Sequence, residues 1–313
     1  MTPPNPPFAT EIRPYGKAAI DAAARLVLSG QPVAVPTETV YGLAADATSG
    51  EAVARIYEAK GRPSFNPLIV HVLAVADAEA IALFDDTARA LAARFWPGPL
   101  TLVLPLKPDG GIASLVTAGL PTIAVRSPAH PAMRDLLEAV GRPLAAPSAN
   151  ASGRISPTRA AHVATSLHGR IPLIIDGGPT AHGIESTIVA ATESKLRLLR
   201  PGPLTDLGFP VLEAHSGAIE APGQMASHYA PRKPLRLEAM EARAGEWLVG
   251  FGAIAGDSSL SRSGDLVEAA AALFDRLHEA EAADRPAIAV ARVPDEGLGA
   301  AINDRLRRAA APR

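Results

Sequence analysis

Short apolar runs and stretches of helical period alternate along nearly the whole chain, with proline or glycine between most of them, and this alternation restricts the fold more than any other feature. Lys17 to Gly30 places apolar residues at helical spacing and ends on glycine. Val33 to Val35 follows as a short strand, and Pro36 opens a loop. The rhythm continues through a helix Glu51 to Lys60, a strand Leu68 to Val72, and one or two helices over Asp77 to Phe95 that stop before Pro97-Gly98-Pro99. Strands at Leu100 to Leu106 and Thr122 to Arg126, a helix Pro131 to Val140, a strand Leu144 to Ala146, a helix Thr158 to Ser166 and a strand Ile171 to Asp176 complete it. Interleaving of this kind predicts an α/β fold, and the tight Pro/Gly connections admit antiparallel pairs, so an open, twisted, mixed sheet is expected.

At 313 residues the chain exceeds the size at which a single core usually stops growing, which favours two domains. After Leu204 the texture changes: Pro210, Pro222, Pro231 and Pro234 punctuate a segment without clear period. Beyond it, strands Glu246 to Phe251 and Ala287 to Val293, with helices Asp265 to Ala283 and Leu298 to Ala310, predict a small αβα domain. The expected organisation is 1–209, a linker 210–234, and 235–313.

Thirty basic against thirty-two acidic residues leave a net charge of −2, which denies the whole chain the footprint of a dedicated nucleic-acid binder. Aromatic residues at 4% argue against a base-stacking platform. Cysteine is absent, which removes disulfides, thiolate nucleophiles and cysteine metal sites. Met1 to Pro7 is proline-rich and lacks the basic start and apolar core of a secretion signal; with no apolar run of membrane-spanning length, a cytoplasmic location is expected.

Polar clusters fall where predicted strands give way to loops, the usual place for ligands in open α/β sheets. Pro36-Thr37-Glu38-Thr39-Val40-Tyr41-Gly42 offers hydroxyls and a carboxylate; a helix cap using Thr37 or Thr39 is the plainer alternative. Lys60-Gly61-Arg62-Pro63-Ser64-Phe65-Asn66-Pro67 places two cations two residues apart, suited to a polyanion if the segment is extended, although a solvated helix end explains it as well. His71 closes a strand, where a histidine is more often structural. Thr122 and Arg126 share one face of a strand, and an arginine on an apolar strand needs a carboxylate partner, from substrate or protein. Ala146-Pro147-Ser148-Ala149-Asn150 with Ser156 presents small side chains after a strand, or an ordinary turn. Gly183-Ile184-Glu185-Ser186-Thr187 and Arg200-Pro201-Gly202 flank strands, equally readable as a hairpin with an exposed arginine. No P-loop, dinucleotide fingerprint, HExxH or GxSxG is present, and the eight histidines show no metal-ligand spacing. A phosphate site here would use Lys, Arg, Ser and backbone amides, with Mg2+ held by phosphates and no metal ligand from protein side chains.

Taken in order and spacing, five segments resemble the Sua5/YrdC/YciO family: Pro36 to Leu43, Lys60 to Pro63 with Asn66-Pro67-Leu68, Phe95 to Pro99, Pro147 to Asn150, and Ser186-Thr187. Any one is weak and the ordered set is specific. His228-Tyr229-Ala230-Pro231 and the residues after it look like the linker and tail of the longer, Sua5-type branch. The resemblance implies a YrdC-like catalytic domain with a cationic concave cavity, a linker that closes over it as a lid, and a Rossmann-like tail. It implies an adenylate-forming nucleotidyltransferase that combines L-threonine, bicarbonate or CO2, and ATP into threonylcarbamoyl-AMP and pyrophosphate. Other proteins would then transfer the product to tRNA as the t6A modification. Carried over by position, Thr39, His71, Arg126, the backbone at Ala146, and Ser186 face threonine and bicarbonate. Arg62, Asn66, Thr122, Ser148, Asn150, Ser156, Arg200 and Tyr229 face ATP, with Lys60 and Arg62 as the catalytic cations on the phosphates.

Two other classes compete. A module for double-stranded or ribosomal RNA could use a concave cationic face, against which the near-neutral charge weighs. The related carbamoyl-transfer domain of hydrogenase maturation factors comes with zinc fingers, for which this chain has no cysteines.

Overall fold

The computed structural model describes residues 8–63, 66–192, 195–210, 212–213, 220–223 and 226–312. Ser64, Phe65, Gln224 and Met225, which belong to segments singled out above, lie outside the described residues.

Two sheets organise the chain. From edge to edge the larger runs Glu11–Pro14, Leu173–Asp176, Val33–Val35, Gly42–Asp46, Leu144–Ala145, Ile69–His71, Thr122–Arg126, Leu100–Pro105, Thr187–Thr192, Lys195–Arg200 and Leu212–Glu213. It is mixed, as expected. Val33–Val35 and Gly42–Asp46 are antiparallel, with Ala34 opposite Leu43, whereas Ile69–His71 and Thr122–Arg126 are parallel, with His71 opposite Arg126. That last pairing sets two polar side chains side by side at the same sheet end.

Helices cover the sheet because their apolar stripes demand it. Lys17–Leu28 buries Ala19, Ile20, Ala23 and Val27 against Met133, Leu136 and Leu137 of Pro131–Val140, over the Val33 and Leu173 strands. On the other face Gly50–Lys60 buries Val53, Ile56 and Tyr57 in the main core with Leu43, Val70 and Leu102. Ser49 caps the helix by accepting the Ala52 amide at 3.2 Å, and Gly61 ends it at φ 58°, a left-handed conformation that glycine adopts without strain.

The smaller sheet is wholly parallel, in the order Leu235–Ala239, Ala287–Ala291, Glu246–Gly250, Ser258–Ser259. Helices Leu266–Ala282 and Leu298–Ala310 pack on its Val249, Ile288 and Val290 face, while Ala239, Leu248 and Ala289 lie on the opposite face under Ile254. The helical layer does a second job. Its Leu273, Phe274 and Leu277 share one apolar cluster with Val40, Ile155 and Ile184 of the larger part and with Tyr229 between them. The two parts therefore bury one continuous surface.

Candidate active site

A tight hollow of about 40 Å³ lies where the strand ends meet the small domain. Its walls come from loops and strand ends that are far apart in the chain.

The Pro36–Gly42 segment is a turn between strands and not a helix cap. The Thr37 hydroxyl accepts the Thr39 and Val40 amides at 3.2 and 3.3 Å and donates to the Val40 carbonyl at 2.7 Å, and the next element is the strand Gly42–Asp46. This local ring of bonds presents Thr39 and Glu38 to Arg126. The Arg126 Nη1 donates to Thr39 Oγ1 at 2.9 Å, its Nη2 to Glu38 Oε1 at 2.5 Å, and its Nε to the Gly98 carbonyl at 3.1 Å. Gly98 must be glycine, since a Cβ there would stand 2.3 Å from the Phe95 carbonyl. Of the five N–H groups of the guanidinium, three are thus engaged among the described residues, which leaves two for an anionic ligand. The partner demanded by an arginine on an apolar strand is thus a protein carboxylate, with capacity to spare.

The two cations of the Lys60 loop diverge. Lys60 is the last residue of its helix and Gly61 reverses the chain, so the extended spacing that would aim Lys60 and Arg62 alike is absent. Lys60 Nζ donates to the carbonyls of Ser148 and Asn150 at 2.5 and 2.6 Å and does not line the hollow. Burial, with Arg62 adding to it, pushes the amine well below its usual range. Arg62 does line the hollow, bracing itself on the Asn66 and Pro67 carbonyls at 3.4 and 3.1 Å.

Opposite stands Arg200, which is buried at 4% exposure and not the exposed hairpin arginine of the simpler reading. It donates to the Ser186 carbonyl at 3.0 Å and to Ser186 Oγ at 3.1 Å. A Cβ at Gly202 would come within 2.4 Å of the Thr187 nitrogen, so the Arg200 strand can approach Ser186 only because that residue is glycine. Ser186 Oγ also shares a 2.7 Å hydrogen bond with Thr101.

The last wall is Pro222-Gly223 and His228-Tyr229. Tyr229 holds φ 62°, uncommon for a bulky residue. Its ring packs against Phe274 at 5.6 Å between centroids, and the Ala230 amide donates to the Gly153 carbonyl at 2.8 Å. The His228 amide donates to the Arg308 carbonyl at 3.1 Å, so this segment is pinned to both parts of the molecule.

Of the residues expected at the site, Thr39, Arg62, His71, Arg126, Ala146, Ser148, Ser186, Arg200 and Tyr229 line the hollow. Lys60, Asn66, Thr122, Asn150 and Ser156 do not. Lys60 sits beneath the Ser148 loop. Asn66 receives Tyr57 and Arg62 on its carbonyl. Asn150 donates from Nδ2 to the Ala151 and Arg154 carbonyls. Ser156 donates to Glu185 at 2.5 Å. Thr122 begins the strand that Arg126 ends, about 13 Å away at ~3.3 Å per residue. Glu38, Glu185 and His228 were given no role by the sequence. The signal available for the two carboxylates was their place inside the Pro36–Gly42 and Gly183–Thr187 segments, each next to a residue that lines the hollow.

Electrostatically the hollow gathers three buried guanidiniums, Arg62, Arg126 and Arg200. Burial lowers the Arg62 pKa to about 10. Burial also takes His71 down to about 3, with Arg126 contributing, so its imidazole is neutral at physiological pH. The carboxyl of Glu38 is pushed up by burial, but the charge and hydrogen bond of Arg126 and the Ala129 amide outweigh this and hold it at about 2. Nδ1 of His71 and Nδ1 of His228, both of residues that line the hollow, are buried with no hydrogen-bond partner among the described residues. Unused polar atoms beside clustered cations suit an anionic, hydrogen-bonding ligand. Among the described residues no group of three or more His, Asp or Glu could hold a metal ion, and none of the helices is long and apolar enough to cross a membrane.

Comparison with known proteins gives consistent relatives. A family profile described as "Telomere recombination", that of Sua5, YciO and YrdC, matches residues 25–202. One described as "Threonylcarbamoyl-AMP synthase, C-terminal domain" matches residues 184–311. A protein named threonylcarbamoyl-AMP synthase from Bacillus subtilis is 42% identical, covering 94% of this chain and 93% of that protein. One of the same name from Pyrococcus abyssi is 40% identical, covering 94% of each. The crystal structure of P. abyssi Sua5 complexed with L-threonine superposes with a TM-score of 0.86 at 37% identity, over 96% of this chain and 97% of that one.

Proposed function

The chain belongs to the Sua5/YrdC/YciO family, in its two-part Sua5 form, and from that premise we propose that its hollow makes threonylcarbamoyl-AMP from L-threonine, bicarbonate and ATP. The observation that carries the reading is the convergence of Arg62, Arg126 and Arg200, from three separate segments, on one buried hollow lined by Thr39, Ser148 and Ser186. An RNA-binding surface would instead spread its cations over an accessible face.

In this reading Arg126, with two N–H groups to spare, takes the threonine carboxylate, and Thr39, His71, the backbone at Ala146, and Ser186 surround the amino acid and bicarbonate. Neutral His71 suits a site where threonine must present an uncharged amine. The amine attacks CO2 derived from bicarbonate and loses a proton, giving a carbamate. A carbamate oxygen then bonds to the α-phosphorus of ATP as the bond to the β-phosphate oxygen breaks and pyrophosphate leaves. That makes the protein a nucleotidyltransferase. Arg62 and Arg200, with Ser148, would bear on the phosphates, where positioning and charge neutralisation supply the catalysis. Lys60 acts by holding the Ser148–Asn150 carbonyls, and Asn66, Thr122, Asn150 and Ser156 as further ATP contacts would require the hollow to widen. Glu185 in the wall and Glu38 behind it are both tied to arginines, so Mg2+ fits only as an ion held by the triphosphate, where it would neutralise phosphate charge.

A hollow of about 40 Å³ cannot take a nucleotide, since small-molecule sites usually span about 300–1,000 Å³. Pro222, Gly223, His228 and Tyr229 wall the hollow on this side, and they would swing away to admit substrates and return to exclude water from a labile adenylate. This is the lid of a chain organised as 1–209, 210–234 and 235–313. The product would pass to proteins that install t6A on tRNA, in the cytoplasm.

The test is pyrophosphate release from ATP and bicarbonate with each amino acid in turn. Release with L-threonine and little else is expected, falling about a hundredfold or more in Arg62→Ala, the loss of ~3 kcal/mol of barrier seen for single stabilising donors. Release indifferent to threonine, or unchanged in Arg62→Ala, overturns the reading.

A further inference from the structure

Arg305 lies on the helix Leu298–Ala310 of the small part, yet its guanidinium is fully buried against the wall of the hollow. Its Nε donates to Glu185 Oε2 at 2.8 Å, its Nη2 to the Glu185 carbonyl at 3.5 Å and its Nη1 to Asp304 Oδ2 at 2.9 Å. Its central carbon stands 5.4 Å from the centre of the Tyr229 ring. The second carboxylate oxygen of Glu185 accepts from Ser156 at 2.5 Å. Glu185, Ser186 and Tyr229 all line the hollow.

A carboxylate in the wall of a polyphosphate site is unfavourable twice over: it repels the ligand, and it competes for the same cations. Arg200 is near enough to act on the Glu185 charge, and Arg62 lines the same hollow. Both carboxylate oxygens are already engaged, one by the Ser156 hydroxyl and the other by Arg305.

Resting on the reading of the hollow as an ATP site, we infer that Arg305 is a positioning residue for the nucleotide: it neutralises Glu185 and holds that carboxylate off Arg200 and Arg62, leaving both cations to the phosphates. The C-terminal helix thereby sets nucleotide affinity without touching the nucleotide. Among the described residues the Glu185 carboxylate makes no hydrogen bond to Thr39, Arg126 or the side chain of its neighbour Ser186, so its charge is set apart from the groups that face threonine.

Arg305→Met in the full-length protein removes the charge and keeps an unbranched stem over Tyr229. It raises KM for ATP about tenfold or more, as expected when a buried charge loses its partner, and leaves KM for threonine within about twofold. Adding Glu185→Gln to Arg305→Met brings the ATP KM back to within about threefold of the starting protein, because no free carboxylate then competes for Arg200. A staple that merely joins the two parts would give neither the split between substrates nor the rescue. Equal rises in both KM values, a loss confined to kcat, or a folded double variant that still binds ATP weakly overturns the inference. Should Arg305→Met not fold, Arg305→Lys decides: it keeps the charge and must hold the ATP KM within about threefold, and a larger rise counts against the inference. Absence of threonine-dependent turnover in the unmodified protein would defeat the proposed reaction, and calorimetric ATP binding by the same variants would then test the role of Arg305 by itself.

Discussion

Arg126, in the wall of the hollow, and Glu38 behind it form a 2.5 Å ion pair with both side chains less than a tenth exposed, and Glu38 also accepts the Ala129 and His130 amides at 3.0 and 3.2 Å. The pair therefore ties the turn after one strand to the end of another. Because the folded carboxyl titrates at about 2 where its ordinary value is 4.5, the native state binds fewer protons than the unfolded chain between those values. Its contribution is complete above about pH 4.5 and is lost as the pH falls towards 2. Glu38→Gln should flatten that acid limb in urea titrations and cost about 3–5 kcal/mol at neutral pH, since it leaves Arg126 buried beside an uncharged partner.

A second acid-sensitive contact joins the two parts. His162 and His278 stack at 3.8 Å between centroids with planes 15° apart, beside Asp275, which Arg159 holds through two hydrogen bonds at 2.6 and 3.2 Å. Burial lowers His162 to about 3, with His278 adding, and burial lowers His278 to about 4. A base whose folded pKa is depressed contributes stability above its unfolded value near 6.5 and loses it as the pH drops. Thermal midpoints should fall from pH 6.5 towards 4, and His278→Phe, which keeps a stacking ring and removes the titration, should lessen the slope. An unchanged slope would count against this role.

Lys60→Met should act first on stability. It strips the carbonyls of Ser148 and Asn150 of a buried donor, a loss of about 1–3 kcal/mol for each acceptor left unmet. The midpoint of chemical denaturation reports it. Full stability in that variant would show that the loop does not depend on Lys60.

Most of the fold was legible in the sequence because apolar periodicity and Pro/Gly punctuation act locally. The helices at Lys17, Gly50, Pro131, Leu266 and Leu298 fall where the spacing puts them. Gly42–Asp46 was missed since its run Gly-Leu-Ala-Ala-Asp has no β-branched residue, and only pairing with Val33–Val35 and Leu144–Ala145 makes it a strand. Leu235–Ala239 is likewise specified by its neighbour Ala287–Ala291. At the site, ordered motifs pointed to nine lining residues, but no spacing rule could foresee that Gly61 turns Lys60 away from Arg62, or that Arg305 reaches Glu185 from 120 residues on. Those are long-range contacts, decided by packing.

Cutting the chain after Leu204 removes the partners of Val40, Ile155 and Ile184, which share one cluster with Phe274 and Leu273. Each such side chain left in water costs about 1.5–3 kcal/mol. The truncated protein should bind a hydrophobic dye and lose turnover, whereas a soluble, active fragment would show that the tail is an accessory.

The most direct test follows the carbon. Incubation with ATP, L-threonine and 13C-bicarbonate, followed by mass spectrometry of the adenylate, should give a threonylcarbamoyl-AMP that carries the heavy carbon, alongside pyrophosphate. An adenylate without the label, or pyrophosphate without any adenylate, would contradict the account.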